Sequence, residues 1–211
     1  MPETQTRALE KGFEYFENKQ YALAEAEYRA ALDTQAPDHI EIKFRLAFCL
    51  EMQDKCNEAE SFYNQVETSG GPPAIVGDAL YRIAWMAMTH KDHVKAIKYY
   101  TKALGILKDS PNSRRIYKDC IYWMALSYEV VGRVIKALDI YEQIAIDDFW
   151  FWDVCYRKIK CFDKIGRYQD ALSCCQEFAA RYQTKSDLKR AKELYPGIIK
   201  IKDQLEALLL T

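Results

Sequence analysis

Five alanines recur along this chain, at Ala24, Ala59, Ala96, Ala137 and Ala171, with steps of 35, 37, 41 and 34 residues. A tyrosine stands four residues after each of the first four, at Tyr28, Tyr63, Tyr100 and Tyr141; Cys175 takes that place in the fifth. Twelve residues before each alanine comes a mostly small residue: Gly12, Ala47, Ala84 and Ala125, then Ile159 as the exception. A period of this size describes one supersecondary unit stacked on the next, because a single unit cannot bury its own apolar face. Stacked units build long surfaces, and such surfaces bind other proteins.

The units read as helical. Apolar residues recur three or four apart, as in Ile83, Ala84, Ala87 and in Ala137, Leu138, Tyr141. Prolines fall at position 2 and at the junctions 37, 72, 73, 111 and 196, where they punctuate helix ends. The pattern predicts helix pairs at about 5–18 with 21–33, 39–53 with 56–68, 74–90 with 93–108, 112–131 with 134–147, and 150–165 with 168–183. The 41-residue step implies longer helices around Leu107 to Lys118. After Ser186 a further helical segment is expected, broken near Pro196-Gly197. Its apolar stripe, Ile198, Ile201, Leu205, Leu208 and Leu209, would cover the exposed side of the last unit.

The unit resembles the tetratricopeptide repeat, a pair of antiparallel helices. The family pattern has a small residue at its eighth position and an aromatic at the eleventh, with glycine near the fifteenth. Alanine follows at the twentieth, an aromatic at the twenty-fourth, alanine at the twenty-seventh and a closing proline. The fourth unit carries it most clearly, with Ala125, Tyr128, Gly132, Ala137, Tyr141 and Ile144. The first has Gly12, Tyr15, Ala24, Tyr28 and Ala31; the fifth keeps Phe162, Gly166, Tyr168 and Ala171. The resemblance implies an all-α fold, an α-solenoid of antiparallel helix pairs wound as a right-handed superhelix. Five repeats are expected at about 5–38, 40–73, 77–110, 118–151 and 152–185, with a capping segment over 186–211, in one continuous domain.

Composition narrows the partners. Net charge is −1 at pH 7, which supplies no basic field for nucleic acid. No apolar stretch is long enough for a transmembrane helix. Met1-Pro2-Glu3-Thr4 does not open like a secretory signal. The seven cysteines form no CxxC pair, so buried reduced thiols and a cytoplasmic setting are expected.

In tetratricopeptide arrays the first helix of each pair lines the concave face, chiefly through the second, fifth, ninth and twelfth positions. By that register the fifth position holds Leu9, Phe44, Tyr81, Tyr122 and Tyr156; the ninth holds Phe13, Phe48, Trp85, Leu126 and Lys160. The second holds Glu41, Asp78, Asp119 and Asp153, and the twelfth Phe16, Glu51, Met88, Glu129 and Asp163. The expected surface is an aromatic column beside a carboxylate row. Its aromatics suit apolar anchors of a partner and its acids suit basic flanks. Alternatively, several of these aromatics pack against neighbouring repeats or the C-terminal helix. Chaperone-type tetratricopeptide domains clamp a terminal carboxylate with lysine or arginine at the fifth position and asparagine at the ninth. Those columns are aromatic or aliphatic here, and Arg45, Arg82 and Arg157 stand one residue past the fifth, so heat-shock chaperone tails are unsuited ligands.

Four consecutive aromatics, Phe149-Trp150-Phe151-Trp152, cannot all face one core. They read as a wedge between the fourth and fifth units or as a hot spot at the groove edge. His90 and His93 with Asp92 fall at one turn with no further histidine near in sequence, and His39 is isolated, so no metal is expected. No phosphate loop, dinucleotide fingerprint, zinc-protease motif or nucleophile elbow occurs, and Asp147-Asp148 reads as a helix end and start rather than an acid/base pair. Neither catalysis nor a cofactor is expected. The expected function is a protein-interaction scaffold or adaptor holding a peptide or partner segment in the groove. Two alternatives are a sensor of a short signalling peptide, on a weak resemblance to Gram-positive pheromone receptors, and a self-assembling scaffold.

Overall fold

The computed structural model describes residues 3–32, 40–145, 148–184 and 189–210. Pro37, His39, Asp147 and Ser186 lie outside them. The fold is all-α, an α-solenoid of antiparallel helix pairs, with no strand among the described residues. Eleven α-helices follow in order: α1 Glu3–Glu17, α2 Tyr21–Leu32, α3 Ile40–Glu51, α4 Cys56–Thr68, α5 Pro73–Thr89, α6 His93–Leu107, α7 Arg114–Val130, α8 Val134–Tyr141, α9 Phe151–Lys164, α10 Tyr168–Thr184 and α11 Lys189–Leu209. The chain divides into two compact units, Met1–Tyr117 and Lys118–Thr211.

Every hairpin turns at one residue with positive φ: Lys19 (58°), Asp54 (60°), Lys91 (65°), Gly132 (81°) and Gly166 (74°). Each stands five residues before its repeat alanine, so the turn repeats in register with the sequence. Around each, the next N–H closes back five residues, as in Lys55 N to Leu50 O at 2.9 Å and Arg133 N to Tyr128 O at 2.9 Å. The left-handed residue's own N–H closes back three, as in Asp54 N to Glu51 O at 3.0 Å. These two bonds are the Schellman closure, which satisfies the last carbonyls of the first helix. The following helix starts at once: the alanine N–H bonds the residue four before it, as in Ala96 N to Asp92 O at 3.0 Å. Of the five turns, the fourth and fifth carry glycine; Lys19, Asp54 and Lys91 hold the left-handed conformation against their Cβ.

With the turn fixed, the alanine and tyrosine columns point into the helix–helix contact. Ala24, Ala59, Ala96, Ala137 and Ala171 are fully buried, as are Tyr28, Tyr63, Tyr100 and Cys175. Gly12 lies against Tyr28, where a Cβ would come 2.8 Å from the ring, so this backbone approach admits no side chain. Burial pushes the Cys49 and Cys155 thiols up to about 12, which keeps them protonated packing groups.

In the first unit, α1 packs on α2, α3 on α4 and α5 on α6, and α2 and α4 each also meet the helix that follows. Ion pairs link the second helices of successive hairpins: Arg29–Glu58 at 2.8 Å, Lys95–Glu60 at 2.7 Å and Lys102–Glu67 at 2.6 Å. Buried Glu25 of α2 accepts from Arg29, Gln53 and Lys55 at 2.8–2.9 Å, tying α2 to the α3–α4 turn. Desolvation raises its pKa, but hydrogen bonds from Lys55, Arg29 and Gln53 outweigh that and leave it lowered. In the second unit α9 packs on α10, and α11 lies against both.

Three expectations change. The extra residues between the third and fourth repeats go only partly into helix: α6 runs 15 residues against 13 in α4, and Lys108–Ser110 with a 3₁₀ turn at Pro111–Ser113 then separates it from α7. Helix α8 stops at Tyr141 rather than 147, because Gln143 and Ile144 bond three residues back instead of four. Helix α11 runs through Pro196 unbroken. Pro196 and Gly197 are on its exposed side, where water can take the carbonyl left without a donor. Ile198 and Leu205 are buried as the stripe implies, whereas Leu208 and Leu209 remain exposed.

Two outcomes follow for chemical denaturation. Lys91→Gly is expected to stabilise the fold by about 1 kcal/mol, and Gly132→Ala to destabilise it by about 1–2 kcal/mol. Glu25→Gln is expected to cost about 1–2 kcal/mol at neutral pH. The native carboxyl titrates below its unfolded value, so its contribution is full above that value and lost as pH falls through the native one; the variant's deficit disappears in acid.

Candidate functional site

The leading helices of the first unit carry a ladder in which arginines alternate with rings. Arg45 of α3 lies over Phe13 and Phe16 of α1, 4.8 Å and 5.2 Å from the ring centroids. Phe16 meets Phe48 of α3 at 5.3 Å, and Arg82 of α5 covers Phe48 at 4.3 Å. Tyr81 and Trp85 stack along α5 at 6.5 Å. Guanidiniums held over ring faces gain electrostatic attraction while keeping edges available to a ligand.

The expected binding residues fall into two groups. Phe13 is exposed, and Phe44, Phe48, Tyr81, Trp85 and Met88 are half-buried in the first unit. Leu126 and Tyr156 are half-buried in the second. The fifth-position rings also close the core, since Phe44, Tyr81 and Tyr122 pack on Tyr63, Tyr100 and Tyr141 of their own hairpins at 5.7, 6.1 and 6.3 Å. Tyr122 is core rather than surface: it is 4% exposed, stacks on Trp150 at 4.1 Å and meets Trp123 edge-on at 4.8 Å.

The carboxylate row is not a bare acidic strip. Glu41 pairs with Arg45 at 2.9 Å and remains exposed. Asp78 and Glu51 share Arg82, at 3.5 Å and 3.4 Å. Asp119 accepts the Trp150 indole N–H at 2.6 Å. Asp153 pairs with Arg190 of α11 at 2.5 Å, and Glu129 with Arg157 at 3.4 Å. Two of the twelfth-position acids face inward, because Tyr63 and Tyr141, twelve residues on, donate their hydroxyls to Glu51 and Glu129 at 2.7 Å and 3.2 Å, whereas Asp163 is exposed. Met88 accepts the equivalent Tyr100 hydroxyl at 3.9 Å.

The sequence reading missed the arginines' role. Its available signal was the four-residue spacing from Glu41 to Arg45 and from Asp78 to Arg82, which sets acid and base on one helix face. Desolvation raises the Glu51 and Asp78 pKa values, with Arg82 opposing that shift in both and the Tyr63 hydrogen bond helping at Glu51.

In the aromatic run, Phe151 and Trp152 are buried, and Trp152 meets Phe178 of α10 edge-on at 4.9 Å. Trp150 is half-buried in its stack, and Phe149 alone projects, 79% exposed. The run therefore divides between core and surface. His90 joins neither His93 nor Asp92 in a ligand set; it comes instead beside Asp54 and Cys56 of the preceding hairpin.

Two family models described as tetratricopeptide repeat match the chain, over residues 9–73 and 78–113. No curated protein matches the sequence. Among solved structures, a MamA protein is 17% identical with a TM-score of 0.73, covering 90% of this chain and 97% of its own. A tetratricopeptide repeat protein from Parabacteroides merdae is 15% identical with a TM-score of 0.72, covering 97% and 77%. BtubC from P. vanneervenii is 16% identical with a TM-score of 0.64, covering 83% and 78%. At such identities the likeness is one of fold. No helix of the described residues is long and apolar enough to cross a membrane.

Arg82→Met leaves two half-desolvated carboxylates without their cation and is expected to cost about 3 kcal/mol at neutral pH. Both native pKa values already lie above the unfolded ones, so these groups lower stability as pH rises from about 4. The variant's deficit therefore grows with pH through the neutral range and narrows in acid, which urea unfolding across a pH series reads directly.

Proposed function

The chain belongs to the tetratricopeptide repeat family, whose members are typically non-catalytic protein-interaction modules, and we propose that it holds a segment of another protein on the ring-and-arginine face of α1, α3 and α5. The observation that carries this reading is the ladder from Phe13 through Arg45 and Phe48 to Arg82, continued by Tyr81, Trp85 and Met88. Half-exposed aromatics lose little rotamer freedom on binding, and stacked guanidiniums are already oriented, so the face is preorganised. It suits a partner with apolar anchors. Leu126 and Tyr156 offer the same chemistry in the second unit.

Basic flanks on the partner would engage Glu41 above all, since its side chain is 58% exposed despite Arg45, compared with 23% for Asp78 and 14% for Asp153. Asp119 and Asp153 act in this reading as positioning groups, for Trp150 and Arg190.

The test compares partners captured from native cells by the parent chain and by the double variant Phe13→Ala, Trp85→Ala, whose folding is checked by circular dichroism. A partner that purifies with the parent is expected to bind the variant about thirtyfold or more weakly. Glu41→Lys should weaken the same partner and flatten the salt dependence of binding. Unchanged affinity in the folded double variant overturns the reading. Light scattering over a concentration series supplies the other adverse outcome, in which the face is occupied by a second copy of this chain.

A further inference from the structure

The hairpin turns carry a cluster outside the aromatic face. One ligand atom each from Asp54, Cys56 and His90 lies within 4.8 Å of the other two. Asp54 is the left-handed residue of the α3–α4 turn, Cys56 opens α4, and His90 caps the C-terminal end of α5. They come from two successive hairpins, 34 residues apart from Cys56 to His90, and both hairpins close by the same Schellman bonds. Their backbone positions are therefore set by the repeat rather than by a mobile loop.

The donor set is one thiol, one imidazole and one carboxylate. Cys56 Sγ donates to Asp54 Oδ1 at 3.6 Å. His90 Nδ1 lies 2.8 Å from the Met86 carbonyl oxygen, which can only accept. The neutral ring therefore carries its proton on Nδ1 and its lone pair on Nε2, the arrangement a backbone carbonyl imposes on metal-binding histidines. A cleft of about 220 Å³ opens beside Cys56 and His90, lined also by Asn57, Glu60, Met86 and Lys95. Lys95 is neutralised there by Glu60 at 2.7 Å.

We propose that Asp54, Cys56 and His90 form a three-ligand site for a transition-metal dication of the zinc class. Mixed sulfur, nitrogen and oxygen donors suit zinc and cobalt(II) rather than calcium or magnesium, which take oxygen sets. On binding, the Cys56 Sγ–H bond breaks, its proton leaves to solvent, and the thiolate donates to the metal. Three protein ligands leave a fourth position for water or for a ligand atom from a partner. The ion would join the second hairpin to the third.

Cobalt(II) chloride titrated into the reduced full chain tests this. The expected result is a thiolate-to-cobalt charge-transfer band in the near ultraviolet, saturating at one metal per chain and displaced by zinc. Zinc alone is expected to raise Tm progressively with concentration, because only the folded chain assembles the three ligands. Cys56→Ser and His90→Ala should each abolish both effects, while Cys174→Ser, a half-buried thiol of the second unit, should keep them. Circular dichroism verifies that the variants remain folded. A band that survives in Cys56→Ser or His90→Ala, or no band and no Tm shift at millimolar metal, overturns the proposal.

Discussion

Everything in this structure depends on a left-handed residue placed five positions before each repeat alanine. That residue ends one helix, lets the next begin immediately, and so fixes the rotational phase between them. The phase places the alanine and tyrosine columns in the seam. A turn one residue longer would rotate the second helix by about 100° and take both columns off it. Two turns use glycine, the residue suited to positive φ; three use lysine or aspartate and carry strain that the rest of the hairpin offsets.

The same register organises the polar chemistry of the leading helices. An arginine one residue past the fifth-position ring reaches a ring or an acid of the preceding hairpin, as Arg45 reaches Phe16, Arg82 reaches Glu51 and Arg157 reaches Glu129. Tyrosine hydroxyls from the trailing helices complete two of the acid pairings. The face thus presents rings and charges already paired to one another. In the proposed interaction a partner would meet edges and apolar surface first, and charge selectivity would fall to the exposed remainder, Glu41 foremost. That balance fits an interaction module reading apolar anchors better than one reading a strongly basic tail.

Stacking also creates neighbours that no short motif describes. Asp54 and Cys56 are separated from His90 by a whole helical hairpin in sequence, yet successive turns of a repeat lie side by side. The proposed ligand set gathers across the period rather than within it. His90, Asp92 and His93 share one turn, whereas the cluster lies between two.

The chain's fold class and repeat phase, and most helix positions, were legible from residue spacing, because alanine and tyrosine columns recur only when each unit buries the same seam. Local hydrogen bonding decides such features, and local sequence carries them. The tertiary structure alone decided which acids stay exposed, which of Phe149 to Trp152 enters the core, that Pro196 sits inside a helix, and which thiol meets which imidazole. The cross-repeat pairings, the placing of Trp152 and the meeting of Cys56 with His90 depend on partners between 12 and 37 residues away, such as Glu51 for Tyr63, Phe178 for Trp152 or Arg190 for Asp153. A side chain's exposure and charge are settled by what the neighbouring hairpin brings to it, and that contact has no signature in the spacing of any single helix.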